Sequence, residues 1–353
     1  MKKFAVFSGF LGSGKTTTMM ALTKYHTKRH AKAAMISNDL GHGVNLADNR
    51  FAQLCGCNAS EMTDECICYQ NENLADRLNS YYADGCELVI SDIPGFGVGA
   101  LEHVYHGLTE KFPGQFELAP FTVLVEPRTV ELLRSGKGGD LEYLYDTQLV
   151  EADLIVLNKC DLIGEEQKAA DLAWLGERYP MAKVIAISAL KEEGLEELSQ
   201  ALSTGNASMR RPDIGYGGKV FMAAMSKMSE LYLQYHATVC CNDFDGNAYL
   251  TDMAERVRDE IRSAGCEIPH LKLLAWEPEG DFGKVDLIGT DRAVEVNHRF
   301  TKPCTELAVV LNASAACPAG KLEELVNDAV RSVSDRYQLE LMVFKQECFG
   351  MGG

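Results

Sequence analysis

The sequence is short of positive charge and contains no long apolar run. Its 34 Lys and Arg residues stand against 51 Asp and Glu, so the 353-residue chain has a formal net charge of -17 at pH 7. A surface of this sign repels phosphate backbones and anionic lipid, which argues against nucleic acid and membranes as partners. No stretch approaches the roughly 18 apolar residues of a membrane span. Both deficits point to a water-soluble globular protein.

Signals for export are also missing. The apolar run Phe4–Phe7, after Lys2 and Lys3, is far too short for the core of a signal peptide. The 12 cysteines do not form the short, evenly spaced framework of a secreted disulfide module. We therefore expect a cytoplasmic protein whose thiols are reduced and available for metal or redox chemistry.

Short apolar runs alternate with helical patterns through the first two hundred residues. This alternation predicts an α/β domain with a mostly parallel sheet and helices on both faces. The predicted helices are Thr16–His26, Leu74–Tyr82, Gln167–Arg178 and Leu195–Leu202. The predicted strands are Lys3–Ser8, Ala33–Ser37, Cys86–Asp92, Phe121–Glu126, Leu154–Asn158 and Val184–Ser188.

The pattern changes after residue 202. Residues 203–219 are rich in Gly, Ser and Arg–Arg–Pro without periodicity, which predicts a linker between domains 1–202 and 220–353. The second domain is predicted to be smaller, α+β and mostly antiparallel. Its predicted elements are a strand near Tyr232–Cys241, a helix near Asp252–Ala264, three or four strands within 270–311, a helix at Lys321–Tyr337 and a strand at Leu339–Lys345.

The segment Gly9–Thr16 matches the pattern GxxxxGK[ST] between a predicted strand and a predicted helix. In a P-loop, glycines let backbone N–H groups surround phosphate oxygens, and the helix N-terminus adds positive potential. Lys15 is expected to reach the β- and γ-phosphates, and the Thr16 hydroxyl to bind Mg²⁺. The fold class is therefore a P-loop NTPase, with phosphate-binding residues Gly9, Gly12, Ser13, Gly14, Lys15, Thr16 and Thr17.

The segment Asn158-Lys-Cys-Asp161 predicts that the base is guanine. The carboxylate of Asp161 can accept hydrogen bonds from N1–H and the exocyclic amine of guanine, which adenine does not offer. The methylene stem of Lys159 can lie over the purine. Ser188 and Ala189, after the next predicted strand, suit the loop that closes over the base. GTP is thus the expected nucleotide.

The segment Asp92-Ile-Pro-Gly95 ends another apolar strand. A carboxylate at Asp92 can hold a magnesium-bound water, and the Gly95 N–H can sense the γ-phosphate. Gly97 and Gly99 suggest a mobile switch segment. Lys15, Asp92 and Gly95 are the predicted catalytic residues. No arginine finger or base is evident in cis, so we expect slow hydrolysis.

These motifs resemble the CobW group of metal-trafficking GTPases, which are related to the urease and hydrogenase nickel-insertion GTPases. The resemblance covers about residues 3–202, and it implies GTP hydrolysis coupled to delivery of a metal, or of a metal-bearing cofactor, to a client enzyme. It rests on Gly9–Thr17 (GFLGSGKTT), Asn38-Asp-Leu-Gly41, Cys66-Ile-Cys68 and the string Gln148-x3-Ala-Asp-x4-Asn-Lys-Cys-Asp-Leu162.

Three elements depart from the family pattern. The family's Gly-Cys-Ile-Cys-Cys appears as Glu65-Cys-Ile-Cys-Tyr69, without the leading Gly and the third Cys. Asp39 stands where the family's Asn-Glu-Phe-Gly element has its Glu. Asp92 stands where the family's Glu-x-x-Gly element has its Glu. By this resemblance Asp39 joins Thr16 and Asp92 as a predicted magnesium ligand.

The cysteines suggest a transition-metal site. Cys66 and Cys68 are two residues apart, so their thiols would point to one side of an extended segment, and Cys55 and Cys57 repeat the spacing. Four thiolates would suit Zn²⁺, Co²⁺ or an iron–sulfur cluster. His42 is a substitute ligand in this hypothesis. The alternative is that the thiols are buried packing residues. The cysteines of the second domain are open to a similar pair of interpretations: they are packing residues, or they form a second metal site or contact a corrinoid. These cysteines are Cys240, Cys241, Cys304, Cys317 and Cys348.

The partners expected from this sequence are a client metalloenzyme or a corrinoid protein, and a nucleotide-dependent homodimer is a further alternative. Three functions remain open beside a metallochaperone. The first is a GTPase that serves a cobalamin-dependent enzyme. The second is a small-molecule P-loop kinase, against which Asn158–Asp161 argues. The third is a GTP-regulated iron–sulfur or redox protein.

Overall fold

The computed structural model of the chain describes residues 2–41, 47–136, 142–215, 218–239 and 242–351. Contacts divide the chain into two compact units, Met1–Leu40 with Cys55–Ala224, and Gly41–Leu54 with Met225–Gly353. Helix-containing residues 47–54 therefore group with the C-terminal part. The predicted boundaries at 202 and 219 would place them in the first domain instead. Within the described ranges, no helix combines the length and apolar character needed to cross a membrane.

A parallel sheet forms the centre of the first unit, as predicted. Its described strands are β1 (Lys3–Ser8), β2 (Ala33–Asn38), β3 (Ala59–Met62), β4 (Leu88–Asp92), β5 (Glu117–Leu118), β6 (Thr122–Val125), β7 (Leu154–Leu157) and β8 (Lys183–Ala186). Their order is β3-β2-β4-β1-β6-β7-β8, and the short β5 also pairs with β1. Every residue of β1, β2 and β4 is buried. Central strands of this kind are covered on both faces, which explains their continuous apolar runs.

Helices connect these strands, and the four predicted ones are present with ends shifted by a few residues. In chain order the helices are α1 (Lys15–Lys28), α2 (Ala47–Leu54), α3 (Asn71–Ala83), α4 (Gly107–Lys111), α5 (Pro127–Ser135), α6 (Glu142–Glu151), α7 (Glu165–Arg178), α8 (Leu195–Thr204) and α9 (Lys219–Met225). A 3₁₀ turn (Ile67–Tyr69) and a π-helical segment (Leu101–His106) precede α3 and α4.

The segment predicted as a linker is fastened to the first unit. Residues 205–215 have no regular secondary structure. The buried Lys3 ammonium donates to Gly205 O at 2.9 Å, and the Ala207 N–H donates to Leu118 O at 3.0 Å. Arg211 pairs with Glu110 at 3.0 Å. These contacts fix the segment against the sheet, although its composition alone is that of a free linker.

The second unit is an antiparallel sheet with helices, which confirms the predicted α+β class. Its strands are β9 (Ser229–Val239), β10 (Glu267–Trp276), β11 (Phe282–Leu287), β12 (Glu295–His298), β13 (Glu306–Ala316) and β14 (Leu339–Gly350), in the order β12-β11-β10-β13-β9-β14. Helices α10 (Gly246–Ser263) and α11 (Ala319–Arg336) share one apolar core with the sheet. The Asp245 carboxylate caps α10 by accepting from two of its backbone N–H groups.

Helix α2 also packs in the second unit, against strands β10 and β13. The buried Asp48 carboxylate forms an ion pair with Lys272, and the Ala47 N–H donates to Asn312 Oδ1 at 3.2 Å. The ring of Phe51 meets that of Phe282 edge to face. A charged pair and an aromatic contact together hold this short helix, which the sequence pattern did not reveal.

Candidate nucleotide site and adjoining cysteine pair

The predicted nucleotide motifs meet at one edge of the parallel sheet. The carboxyl ends of parallel strands lie at the same edge, where doubly wound folds bind ligands. Strand β1 runs into the segment Gly9–Gly14, β4 ends at Asp92, and β7 runs into Asn158. Strand topology therefore brings together residues that are up to 150 positions apart in the sequence.

Glycine is sterically required in the loop between β1 and α1. Gly9 has a φ of +130° and Gly14 a φ of +90°, both in the region that favours glycine. A Cβ on Gly9 would collide with Leu124 O, and one on Gly14 with the Asn158 amide. The loop is thus packed against the two neighbouring strands, with its backbone turned as a P-loop requires.

Lys15 and Ser13 fit a phosphate group. The Lys15 ammonium is buried and donates to Gly9 O at 2.6 Å, so it is held inside the loop. The buried Ser13 hydroxyl has no hydrogen-bond partner among the described residues. Helix α1 begins at Lys15, and its N-terminus favours an anion. An unsatisfied hydroxyl beside a buried cation at a helix start is a donor set suited to phosphate oxygens.

Asn158 connects the P-loop to the predicted base-binding loop. Its amide nitrogen donates to Ser13 O at 2.9 Å, and its amide oxygen accepts from the Ala189 N–H at 3.1 Å. The Ser188 hydroxyl donates to Asp161 Oδ1 at 2.6 Å. One amide therefore spans both loops, and one hydroxyl orients the carboxylate that is predicted to select guanine.

Lys159 has a partner that the sequence did not reveal. Its φ of +62° lies in the left-handed region, and its ammonium pairs with the nearly buried Glu126 at 2.9 Å. Glu126 ends the strand predicted as Phe121–Glu126, but nothing in its local sequence marks it as part of a site. The ion pair anchors the end of the lysine side chain and so fixes the course of its methylene stem.

Asn38 links the predicted magnesium carboxylate to the cysteine segment. Its backbone N–H donates to Asp92 Oδ1 at 2.8 Å. Its side-chain nitrogen donates to Met62 O and Glu65 O, both at 3.0 Å, and its side-chain oxygen accepts from the Ile67 N–H at 3.0 Å. From the sequence, Asn38 was noted only as the first residue of the segment Asn38-Asp-Leu-Gly41, beside Asp39, whose carboxylate accepts from the Leu40 N–H at 2.9 Å.

Cys66 and Cys68 lie together, but the segment is not extended as expected. Cys66 caps the 3₁₀ turn Ile67–Tyr69, and its sulfur accepts from the Cys68 N–H at 3.4 Å. The turn is what places the two thiols side by side. Hydrogen bonding to the Cys66 thiol and burial raise the pKa of Cys68 well above its ordinary value. In this state Cys68 is a protonated thiol, and metal binding there would release a proton.

Helix α6 holds the loop that follows Asp92. The Gln148 amide nitrogen donates to Gly95 O and Gly97 O, both at 3.0 Å. The buried Glu151 carboxylate accepts from the Gly99 N–H at 2.8 Å and from the Leu101 N–H at 3.3 Å. Burial raises the pKa of Glu151 to about 7, and the same carboxylate raises the pKa of Cys68. Glu151 therefore holds the predicted switch loop by hydrogen bonds and also affects the pKa of Cys68 in the cysteine pair.

The structure does not unite the four cysteines. Burial raises the pKa of Cys57, and the nearby charged groups that also shift it are Lys24 and Cys55. The pKa of Cys68 is instead raised by Cys66, by burial and by Glu151. Among the described residues, no three His, Cys, Asp or Glu side chains are grouped so that they could hold a metal ion. His42, Cys240 and Cys241, named above as alternative ligands, lie outside the described residues.

A family model agrees with this geometry. Residues 3–185 match the description "CobW/HypB/UreG, nucleotide-binding domain". The chain belongs to this family. Its members are P-loop metal-chaperone GTPases, so the resemblance noted from the motifs is confirmed, and so is the nucleotide-binding character of the first unit.

One curated relative matches about half of the chain. The chain is 30% identical over 182 residues to the zinc chaperone YeiR of Escherichia coli (strain K12). The match covers 49% of this chain and 51% of the relative. The chain therefore aligns with about half the length of that protein.

The solved structures that match the chain have low sequence identity and TM-scores below 0.5. Zn(II)-bound YjiA GTPase from E. coli is 15% identical, with 94% of this chain and 98% of that chain covered and a TM-score of 0.39. HypB from Helicobacter pylori in complex with nickel is 19% identical, with 57% and 90% covered and a TM-score of 0.40. The family assignment rests on the sequence match, not on these similarities.

Proposed function

We propose that this chain is a GTP-binding, slowly GTP-hydrolysing switch that controls a metal site at Cys66 and Cys68 and delivers its metal, or a metal-bearing cofactor, to a client enzyme. The metal ion is cargo in this proposal, with Zn²⁺ and Co²⁺ as the candidates. The name of the zinc chaperone relative supports Zn²⁺. The client is a metalloenzyme or a corrinoid protein of the cytoplasm.

The nucleotide part of the proposal assigns each motif a role. Lys15 and the P-loop N–H groups bind the phosphates, and Asp161, oriented by Ser188, accepts from guanine. Thr16, Asp39 and Asp92 are the oxygen donors that fit Mg²⁺, which prefers such ligands and would neutralise charge on the β- and γ-phosphates. The Gly95 N–H lies in a loop held by Gln148 and would detect the γ-phosphate.

One observation supports coupling between nucleotide and metal. Asn38 donates from its backbone to Asp92 and binds the chain on both sides of Glu65 with its side chain. A displacement of Asp92 by magnesium and the γ-phosphate would therefore reach Cys66 through one residue. Linkage requires the metal to change GTP affinity by the same factor as GTP changes metal affinity, typically about 5- to 150-fold.

The test combines nucleotide binding, turnover and metal titration on one preparation. We expect GTP to bind at least about tenfold more tightly than ATP, because ATP would leave Asp161 unpaired. We expect basal turnover near 10⁻⁴ to 10⁻² per second. Zn²⁺ and Co²⁺ affinities should differ between the GTP-analogue and GDP forms. Equal affinity for ATP and GTP would contradict the guanine site, and turnover of tens per second would contradict a switch.

A second candidate is a GTPase chaperone of a cobalamin-dependent enzyme. The lack of a third metal ligand beside Cys66 and Cys68 among the described residues favours it. In that function the thiols are packing residues and nucleotide controls the client directly. Identical metal affinity in both nucleotide states, together with intact guanine selectivity, would support this candidate over the metallochaperone.

A further inference from the structure

Two cysteines of the second unit face each other at the end of a strand pair. Glu267 of β10 pairs with Ala316 of β13 in antiparallel register. Cys266 directly precedes β10 and Cys317 directly follows β13, so continuing this end pair by one residue sets Cys266 opposite Cys317. Cys317 belongs to the apolar core between the sheet and its helices, and Cys266 packs against that core. Both thiols therefore lie on the helix-covered face.

The spacing of the pair suits a covalent bond. Directly opposed residues of antiparallel strands have Cα atoms about 4.5–5.5 Å apart, within the range of about 4.4–6.8 Å that disulfides span. The Cys266 thiol is also close enough to Cys317 to raise the pKa of the Cys317 thiol, while its own sulfur contacts the Ala264 carbonyl at 3.8 Å. Cys304 of the same core offers a contrast, because burial and nearby carboxylates raise the pKa of its thiol and no neighbouring cysteine of the described residues contributes.

The two thiols differ in access. Cys266 is partly exposed, at the turn between α10 and β10, whereas Cys317 is buried. Burial, with Cys266 beside it, raises the pKa of Cys317 to about 12, so this thiol stays protonated at neutral pH. An oxidant in solution would thus meet Cys266 first, with Cys317 positioned to react next.

We propose that Cys266 and Cys317 form a reversible disulfide when the protein meets a peroxide. The Cys266 sulfur attacks the peroxide O–O bond, which gives Cys266 sulfenic acid and one water. The Cys317 sulfur then attacks the sulfenic sulfur, so that the S–S bond forms and a second water leaves. One peroxide is reduced by two electrons, and two thiols are oxidised by two. A dithiol reductant reverses the change.

The disulfide would restrain the second unit. Cys317 directly precedes Pro318, the residue that caps α11, and Cys266 follows α10. The bond closes a loop that contains β10 to β13, and loops of that length lower the entropy of the unfolded chain considerably. We therefore expect oxidation to raise the melting temperature of the second unit by several degrees, reversibly.

The experiment uses the full-length protein, reduced and then treated with hydrogen peroxide under native conditions. Peptide mapping without reduction should find the peptides of Cys266 and Cys317 joined. Cys317→Ala should abolish the link and leave Cys266 as a sulfenic acid that dimedone traps. The matched control is Cys304→Ala, another buried core thiol, which should keep the link and the rise in melting temperature.

Three results would overturn the proposal. They are joining of either cysteine to a different cysteine, failure of any link to form while Cys266 is oxidised, and a link that forms only after denaturation. If Cys317→Ala does not fold, Cys266→Ser at the partly exposed position provides the second variant. It should lose the link and the dimedone adduct at position 266. The inference does not depend on the proposed GTPase function.

Discussion

The nucleotide edge and the cysteine segment are neighbours in the first unit, but they differ in how complete they are. At the nucleotide edge, Asn158 spans two loops, Ser188 orients Asp161, and Lys15 is held by Gly9. At the cysteine segment, the backbone N–H of Cys68 donates to the Cys66 sulfur, the pKa of the Cys68 thiol is raised well above its ordinary value, and the described residues provide no third ligand beside the pair. The first region is therefore already organised for the nucleotide proposed to bind there, whereas the second would need a change of structure or a partner's ligand to hold the proposed metal.

The largest effect is expected from the buried lysine. Lys15→Ala removes the ammonium that is proposed to stabilise charge on the phosphates, and we expect hydrolysis to fall by at least about 100-fold. GTP binding should also weaken. The measurement is single-turnover hydrolysis with titration of a fluorescent nucleotide. Lys28→Ala, at an exposed lysine of the same helix that pairs with Glu192, is the control and should leave both unchanged. Unimpaired hydrolysis in Lys15→Ala would remove the P-loop assignment.

The base site should show the next largest effect. Asp161→Asn cannot accept two hydrogen bonds from guanine, so GTP affinity should fall by about 100-fold, at about 1–3 kcal/mol for each unpaired group. The amide can donate to the xanthine oxygen, so xanthosine triphosphate should bind better to the variant. Calorimetry with both nucleotides measures this exchange.

Ser188→Ala serves as the graded companion to that variant. It removes only the 2.6 Å hydrogen bond to Asp161, so GTP affinity should fall by about tenfold without gain of xanthosine binding. A similar loss of GTP affinity without any xanthosine preference in Asp161→Asn would mean that Asp161 supports the loop and does not contact the base.

The cysteine segment is tested by a pair of double variants. Mutating a residue that only hydrogen-bonds a metal ligand typically lowers metal affinity by about tenfold or more. Cys66→Ser/Cys68→Ser removes the proposed ligands themselves, so Zn²⁺ or Co²⁺ affinity should fall by more than about tenfold. Cys55→Ser/Cys57→Ser is the matched control, since its thiols lie in different surroundings. Competition with a chelator of known affinity measures both. Undiminished binding in the first variant would leave Cys66 and Cys68 as packing residues.

The smallest effect concerns the link between the two regions. Asn38→Ala removes the side chain that binds Met62, Glu65 and Ile67, so the ratio of metal affinities in the two nucleotide states should shrink by a few-fold. The control is Gln70→Ala. Gln70 donates to Thr63 O and Glu65 O in the same segment, and neither of these hydrogen bonds involves Asp92. Equal loss in both variants would show that general loosening, not the Asn38 connection, changes the ratio.

The sequence determined the fold class and the nucleotide motifs because these depend on local signals. A buried parallel strand reads as a short apolar run, and a P-loop needs glycine where φ is positive, as at Gly9 and Gly14. The six predicted strands of the first unit are present, each within two residues at either end. The short strands β3 and β5 were missed, since β3 (Ala-Ser-Glu-Met) contains no apolar run and β5 has only two residues.

Only the tertiary structure decided which residues connect the motifs. Asn38, Glu126, Gln148 and Glu151 act through partners 24 or more positions away, and nothing in their local sequence marks those partners. The same holds for the turn that brings Cys66 and Cys68 together, for the packing of α2 in the second unit, and for the opposition of Cys266 to Cys317. Local conformation follows from neighbouring residues, but hydrogen bonds and ion pairs between distant segments exist only once the sheets have formed.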